Sequence, residues 1–384
     1  MRNARSLSVM KSLSWKQVNT WRLAQHGLSP RLNREDFLTA VTRTGGIQAQ
    51  VMSAAELALG ARVDGLSPEE VQTALWEDRT LIKTWAMRAT LHLISASEFP
   101  LYVAARSLYE TRNWTRYFDY YGITKAQFEA YLAAVPEILG SDPMTREQLA
   151  AALAEHTGSP DLHSLVLSKG WGTPLKPLAW RGDLCFGPNH GRNVTFVHPG
   201  KWIGKWQSVE PYAALQEMAR RYLRAYGPAT PELFARWWEL RLVPARKLFQ
   251  SIEEELEPVD VEGWQAIALR ETLEPMQRLE MPGGVNLLPL FDAYMMGIGR
   301  GADIEPLLPE AYQSQVYRPQ GWISAVVLVE GYIQGVWEYQ TRGAQTSIKV
   351  RMFAAPTGSV RSGIEGEAER LGAFLNTKVE LAFG

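Results

Sequence analysis

The chain has 384 residues, of which 46% are hydrophobic and 21% are charged, and its formal net charge is −1 at pH 7. This composition is that of a globular protein of several domains, and it excludes a disordered or collagen-like chain. A single cysteine excludes an internal disulfide and the apolar runs are too short to span a bilayer, so we expect a cytoplasmic protein with no membrane partner.

The first predicted module, over residues 12–120, contains helices followed by a strand pair. Helix patterns cover residues 15–26, 34–44, 54–63 and 69–78. A pattern of two short strands follows over residues 81–94. Ser14 can cap the first helix, and Ser67 with Pro68 opens the fourth, because these residue types are typical of helix starts. Helices followed by a β-ribbon indicate a winged helix.

The same order of elements is predicted twice more, over residues 121–205 and 206–280. The helix patterns of these two modules cover residues 124–139, 145–156, 161–170, 211–227, 231–240 and 244–257. The strand candidates are LAWRGDLCFG and NVTFVHP in the second module and PVDVEG and WQAIALR in the third. The spacing is uneven, so the repetition lies in the order of elements and not in a fixed period.

The last predicted module, over residues 281–384, is rich in strands. Its strand patterns are NLLPL, WISAVVLV, YIQGVWEY and SIKVRMF, and a helix is predicted over 363–375. The sequence therefore predicts a helix-rich α+β protein with three tandem winged-helix modules and a β-rich C-terminal module.

Charge is unevenly distributed along the chain. Residues 1–125 carry 16 basic and 11 acidic side chains and residues 126–250 carry 14 and 11, whereas residues 251–384 carry 10 and 19. A basic front suits a polyanionic partner, although uneven sampling of surface charge would give the same pattern. The acidity of the last module makes it an unfavourable face for DNA.

One short segment is a candidate for chemistry. Gly45 and Gly46 end a predicted helix, and Gln48 and Gln50 follow two residues apart in an apolar context. In an extended backbone, residues at this spacing project to the same side. A solvated turn would have the same composition. No P-loop, HExxH motif or serine nucleophile elbow is found, and the glycine-rich segment 297–301 is not followed by a helix pattern, so neither a metal nor a cofactor is expected.

The sequence resembles the winged-helix DNA glycosylases typified by AlkZ and YcaQ. The resemblance is carried in collinear order by LSWKQVNTWRLAQHGL, GGIQAQ, TLIKTWAMRATLHLISASEF, LLPLFDAYMMG and YRPQGWISAVVLVEGYIQGVWE. The family's signature is Gln-x-Gln or Gln-x-Asp, and Gln48 and Gln50 give the first form, which is that of the AlkZ-like branch. The resemblance implies tandem winged helices on a small barrel, and a monofunctional DNA glycosylase that removes cationic alkylated purines of the N7-alkylguanine type, including bulky adducts or interstrand crosslinks.

Two neutral amides suit that reaction. An alkylated purine already carries positive charge and needs no general acid, so the enzyme has to position a water and stabilise an oxocarbenium-like sugar. We assign Gln50 to hold the water, and Gln48 to orient it and contact the sugar or damaged nucleotide.

Basic and polar residues near the predicted ribbons and recognition helices are candidates for contact with DNA. They are Lys83, Arg88, Thr90, His92, Lys169, Lys176, Arg246 and Lys247. Arg88, Thr90 and His92 are predicted to share one strand face, where they would contact phosphates or form the polar outer face of a wing. Asp292 and the paired Trp237 and Trp238 are expected to be structural.

The expected partner is double-stranded DNA with alkylated bases. The protein is expected to bind it as a monomer and to be associated with the nucleoid when it is bound to DNA. Two alternatives are a non-catalytic tandem winged-helix transcriptional regulator and a protein whose winged helices contact other proteins. A regulator would normally be a dimer that matches a palindrome, whereas a lesion enzyme can act as a monomer.

Overall fold

The structure is a computed structural model that describes residues 10–108, 114–168, 172–280, 284–304 and 306–384. It is a helix-rich α+β fold with a five-stranded sheet near the C-terminus. In the described ranges, none of the helices has both the length and the apolar character needed to cross a membrane.

The N-terminal part of the chain alternates helices with short strands. Its elements are β1 (Lys11–Leu13), α1 (Trp15–Gln25), α2 (Phe37–Arg43), β2 (Ile47–Gln48), α3 (Met52–Gly60), α4 (Pro68–Trp76), β3 (Leu81–Trp85), β4 (Leu91–Ser95) and α5 (Phe99–Ser107). The predicted caps are confirmed, because the Ser14 and Ser67 hydroxyls accept from the backbone N–H three residues on. The predicted strand pair is also confirmed, as β3 and β4 form an antiparallel hairpin.

The second part repeats this alternation. Its elements are α6 (Trp114–Tyr121), α7 (Lys125–Ile138), β5 (Met144–Thr145), α8 (Arg146–Thr157), α9 (Pro160–Leu167), α10 (Lys176–Arg181), β6 (Cys185–His190), β7 (Asn193–Val197) and α11 (Pro199–Trp202). The first strand candidate, LAWRGDLCFG, is wrong in its first half, which belongs to α10. Pro177 lies in the first turn of that helix and Gly182 ends it in the left-handed region, so a short buried apolar run forms a helix here.

The third part has the same order of helices and a hairpin. Its elements are α12 (Pro211–Tyr226), α13 (Pro231–Trp238), α14 (Leu242–Gln250), β8 (Leu256–Val261), β9 (Trp264–Leu269) and α15 (Arg270–Arg278). The helix predicted over 244–257 is wrong at its end, because α14 stops at Gln250 and a 3-10 turn, Glu253–Glu255, precedes β8. A longer helix would place Glu253–Glu255 at its C-terminus, where the negative end of the helix dipole disfavours acidic side chains.

The C-terminal part consists of a sheet and the helices that cover it. Its elements are β10 (Val285–Leu288), α16 (Ala293–Gly297), α17 (Glu310–Val316), β11 (Ala325–Val329), β12 (Tyr332–Arg342), β13 (Gln345–Met352), α18 (Gly358–Leu375) and β14 (Lys378–Phe383). The order is β10-β11-β12-β13-β14, antiparallel except for the last pair.

The resemblance implies a small barrel, but in the described part of the chain these five strands form an open sheet. The strands β10 and β14 lie at its two edges, and α18 packs against both of them. A Cβ on Gly363 would lie 2.6 Å from Val285 of β10, and one on Gly372 would lie 2.5 Å from Val379 of β14. The helix therefore fills the space between the edge strands, which glycine permits by removing side-chain bulk.

Three smaller sheets share one pattern, a hairpin joined by a short third strand. Their orders are β2-β4-β3, β5-β7-β6 and β1-β8-β9. In the third sheet the extra strand comes from the N-terminus, where β1 runs parallel to β8 and pairs Lys11 with Val259. Trp15 then stacks on Trp264 of β9 with their ring centroids 5.3 Å apart.

The core contains one fully buried ion pair. Arg62, which follows α3, donates from both terminal nitrogens to Asp292 at 2.7 and 2.6 Å, and neither side chain is exposed. Asp292 also caps α16 by accepting from the Tyr294 N–H at 2.9 Å. The structural role predicted for Asp292 is confirmed, as is the burial of Trp237 and Trp238.

Candidate active site

The glutamine segment is fixed by a left-handed turn and a very short strand. Gly45 and Gly46 have φ of +70° and +95°, which L side chains rarely adopt. The strand β2 then pairs antiparallel with β4, so Gln48 lies opposite His92, and the Ala49 N–H donates to the Leu91 carbonyl at 2.7 Å. The glutamine backbone is thereby held by β4.

Gly45 is also needed for packing against the third part of the chain. A Cβ at this position would lie 2.9 Å from Cζ2 of Trp237 on α13. The indole of Trp237 is buried within an aromatic cluster that includes Tyr222 and Tyr226. The turn before the glutamines therefore rests on a rigid aromatic surface.

The two glutamines differ in burial although both face β4 and the turn before it. Gln48 is 5% exposed, and its Oε1 accepts a hydrogen bond from Nη2 of Arg88 at 3.1 Å. Gln50 is exposed, and its Oε1 has only a long contact of 3.5 Å with the Leu91 N–H. Gln48 is thus oriented by the protein, whereas the Gln50 amide can turn towards a ligand.

Arg88 is held in a strained turn between β3 and β4. Met87–Ala89 form a 3-10 turn in which Arg88 and Ala89 have φ of +54° and +53°. Non-glycine residues in this region cost on the order of 1 kcal/mol each, so the surrounding contacts must hold the turn. One of those contacts is the bond from Nη1 of Arg88 to the Trp237 carbonyl at 2.8 Å.

The strand face predicted for Arg88, Thr90 and His92 is wrong. Arg88 lies in the turn, and the Thr90 hydroxyl donates back to the Met87 carbonyl at 3.1 Å, which closes that turn. Only His92 lies on β4, where it is 1% exposed. A phosphate contact from Arg88 stays a prediction, but two of its donors already point into the protein.

His92 is a neutral acceptor beside Arg88. Burial, and secondarily the Arg88 charge, lower the pKa of His92 to about 3. Its Nδ1 lies 2.9 Å from the Thr90 carbonyl and must donate to it, which leaves Nε2 as an acceptor 3.4 Å from Nη2 of Arg88. Burial also lowers the pKa of Arg88, to about 10, so this guanidinium is still charged at neutral pH.

Arg88 also lines a cleft of about 390 Å³, and neither Gln48 nor Gln50 is among its lining residues. Its lining combines three guanidinium groups with apolar side chains, from Arg88, Arg236, Met295, Met296, Gly299, Arg300 and Ile323. None of these lining residues is acidic, and the described part of the chain contains no cluster of His, Cys, Asp and Glu suited to a metal ion. We call this the arginine cleft.

Sequence reasoning missed Arg236 and Arg300. Arg300 lies in the glycine-rich segment 297–301, and its guanidinium carbon is 4.8 Å from the ring centroid of Tyr317. Arg236 projects from α13 and approaches Asp303 at 3.4 Å. The glycine-rich segment was the signal in the sequence that could have revealed Arg300. Its Gly299 has φ of +99°, and a Cβ there would lie too close to Leu233.

The remaining predicted DNA contacts that the structure describes do not line the arginine cleft. Lys83 is half-buried with its ammonium 5.5 Å from the Phe186 ring centroid, and burial lowers its pKa. Lys176 is half-buried at the start of α10, and Lys169 lies outside the described residues. Arg246 and Lys247 are exposed on α14, where Arg246 pairs with Glu232 at 2.7 Å.

Comparisons with known proteins agree over nearly the whole chain. A family model described as "DNA glycosylase AlkZ-like" matches residues 41–374. An "Interstrand DNA cross-link repair glycosylase" from Streptomyces sahachiroi is 39% identical over 333 residues, which are 85% of this chain and 88% of that protein. The solved structure of "Streptomyces sahachiroi DNA glycosylase AlkZ" is similar with a TM-score of 0.84 and 35% identity, covering 97% of this chain and 100% of that one.

Proposed function

The chain belongs to the AlkZ-like DNA glycosylase family, and from this premise we propose that it hydrolyses the N-glycosidic bond of cationic alkylated purines in DNA. The proposed substrates are of the N7-alkylguanine type, including bulky adducts. They also include interstrand crosslinks, which the name of the Streptomyces sahachiroi relative mentions. The family match favours an enzyme over a non-catalytic regulator. A monomer is proposed as the active form.

The observation that carries this proposal is an amide pair of which Gln48 contacts Arg88, a lining residue of a cleft that has three arginines and no acidic residue in its lining. Glycosidases that expel a neutral leaving group use two carboxyl groups, one of which protonates the leaving atom. A cationic purine leaves with the bond electrons and becomes neutral, so no such acid is needed. We therefore assign the reaction to Gln48 and Gln50.

In the proposed reaction, a water oxygen forms the new bond to C1′ while the bond from C1′ to the purine nitrogen breaks. The purine takes the bonding electron pair, and the water loses its proton to solvent. Gln50, which is exposed, accepts from the water, and Gln48, whose Oε1 is held by Arg88, presents its amide to the water or sugar. A carbonyl oxygen such as Oε1 of Gln50 is the negative end of its amide dipole and can stabilise developing positive charge when it faces the sugar.

The three small sheets support the tandem winged-helix organisation that the sequence predicts. Each combines a hairpin with a short strand, and helices precede the hairpin along the chain. We retain modules over residues 12–120, 121–205, 206–280 and 281–384, with one amendment. The third module takes the strand Lys11–Leu13 from the N-terminus.

The test is incubation with a duplex that contains one N7-methylguanine, followed by alkali and a denaturing gel. We expect cleavage at the lesion, none in the undamaged duplex, and the same rate in excess EDTA, because the site as assigned uses no metal. A crosslinked duplex should be converted to separable strands. Absence of base release from every alkylated duplex contradicts the proposal, and loss of activity in EDTA contradicts the metal-free site.

We propose Arg88 as a positioning residue for Gln48. Arg88→Ala is expected to lower the single-turnover rate of base release by about 10²-fold, since a small misplacement of a reacting group can cost that much. Arg88→Lys should not restore it, because an ammonium cannot span the Trp237 carbonyl and Gln48 as the planar guanidinium does.

Binding to undamaged duplex distinguishes this role from the predicted phosphate contact. If Arg88 only positions Gln48, the slope of log affinity against log salt is unchanged in Arg88→Ala. A slope that falls by about one shows a phosphate contact instead, since each neutralised phosphate contributes about −0.9. Wild-type rates in Arg88→Ala contradict the positioning role, and an unchanged slope contradicts the phosphate contact.

A further inference from the structure

A second concave surface lies on the C-terminal sheet. It is a groove of about 580 Å³ between the segment that follows α17 and the exposed face of β12 and β13. Its lining includes Arg318, Trp322, Val336, Glu338, Lys349 and Arg351. We call it the C-terminal groove, and the proposed function above assigns it no role.

Three exposed cations line this groove. Lys349 and Arg351 alternate on the outward face of β13, and Arg318 faces them from the loop after α17. Among the residues that the structure describes, the side chains of these three form no hydrogen bond or ion pair, although the stem of Lys349 packs beside Gly384. Glu338, opposite Lys349 in the strand register, is the one acidic residue in the lining. The groove is therefore a cationic surface within an acidic module.

An aromatic ring is presented at the same place. Trp322 is 44% exposed, whereas most large apolar side chains here are buried, and its ring centroid lies 5.1 Å from that of Phe291. The turn before it is closed by the Arg318 N–H, which donates to the Trp322 carbonyl at 2.8 Å, and Gln320 within it has φ of +61°. The indole is thus held in place by its own loop and by Phe291.

The C-terminal groove adjoins the arginine cleft. Ile323 lines the cleft, while its neighbours Trp322 and Ser324 line the groove. Successive side chains of an extended segment point to opposite sides, so residues 322–324 form a wall shared by the two surfaces. Residues 322–324 therefore bring the lining of the groove within one residue of the lining of the cleft.

We propose that the C-terminal groove binds the DNA strand that flanks the alkylated base. Arg318, Arg351 and Lys349 bind its phosphates, and Trp322 stacks on a base, which is the combination that holds single strands and strand ends in other proteins. This inference rests on the proposed function, and it revises the expectation that the acidic module faces away from DNA.

The test is fluorescence anisotropy across a salt series with an undamaged duplex that ends in a single-stranded overhang, since stacking requires an unpaired base. Arg318→Ala with Arg351→Ala is expected to reduce the slope of log affinity against log salt by roughly two, since two phosphate contacts are lost. The matched control is Arg342→Ala with Lys378→Ala, which removes two exposed charges of the same module away from the groove lining. Equal effects of the two double variants, or no change in either, overturn the proposal.

Trp322→Ala tests stacking separately from charge. It should weaken binding without changing the salt slope, and Trp322→Phe should restore most of the affinity, because any aromatic face can stack on a base. Wild-type affinity in Trp322→Ala contradicts the stacking role.

A crosslinking variant tests direct contact without removing a cation. Cys185, the single cysteine, is buried, so Glu338→Cys can carry a thiol-reactive photo-crosslinker in the groove, with Lys378→Cys as the control. Crosslinking to DNA from position 338 and not from 378 is expected, and the reverse overturns the proposal. None of these assays requires base release, so a failed glycosylase assay and an unused groove give different results.

Discussion

Gln50→Ala is expected to lower the rate of base release by roughly 10²-fold, because the attacking water loses the group that positions it. Gln50 is exposed and its amide has only the 3.5 Å contact to the Leu91 N–H, so the fold should be unaffected. Duplex affinity should also change little, because every basic side chain is retained. Single-turnover excision from an N7-methylguanine duplex measures the effect.

Two further variants sharpen this prediction. Gln50→Asp should keep more activity than Gln50→Ala, since a carboxylate can also hold the water and the other branch of the family, in the resemblance described above, carries Asp at this position. Gln340→Ala, on the exposed end of β12, is the matched control. If Gln48→Ala with Gln50→Ala still excises at the wild-type rate, the amide pair is not the reacting site.

Asp292→Ala is expected to lower the free energy of unfolding by about 3–5 kcal/mol, because it leaves the Arg62 guanidinium buried without a counter-charge. Both side chains of this pair are fully buried, so solvent cannot replace the lost partner. The cap of α16 is lost as well. The urea midpoint of wild type and variant measures the change.

The exposed pair between Arg246 and Glu232 provides the comparison. Arg246→Ala should change stability by less than about 1 kcal/mol, as exposed ion pairs contribute little. Replacing Arg62 by Met and Asp292 by Leu together should recover much of the stability lost in Asp292→Ala, because no uncompensated charge then remains. Similar losses in the free energy of unfolding in Asp292→Ala and Arg246→Ala contradict this account of the buried ion pair.

Local features of the fold could be predicted because their causes are local. The caps at Ser14 and Ser67 depend on side chains within three residues. The burial of Trp237 follows from its apolar ring on an amphipathic helix.

Other features depend on contacts between distant parts of the chain. The apolar residues 178–180 fit a strand or a helix equally well until Gly182 ends α10. The segment around Arg88 has the alternating pattern of a strand. Its turn is stabilised by contacts of the Arg88 guanidinium with two distant residues, the carbonyl of Trp237 and the amide of Gln48. No local pattern could reveal that Lys11 pairs with Val259.

That last pairing has a consequence for the growing chain. On the ribosome, residues 1–120 emerge long before β8, so β1 has no strand to join and the Arg88 turn has no Trp237 carbonyl to hold it. Domains generally fold as units from the N-terminus during synthesis, but here the glutamine segment must wait for α13. Nascent chains stalled before residue 237 should therefore expose the apolar surface of α2 and β4 to chaperones. A fragment that ends after the second module should not form the site, even though it contains both glutamines.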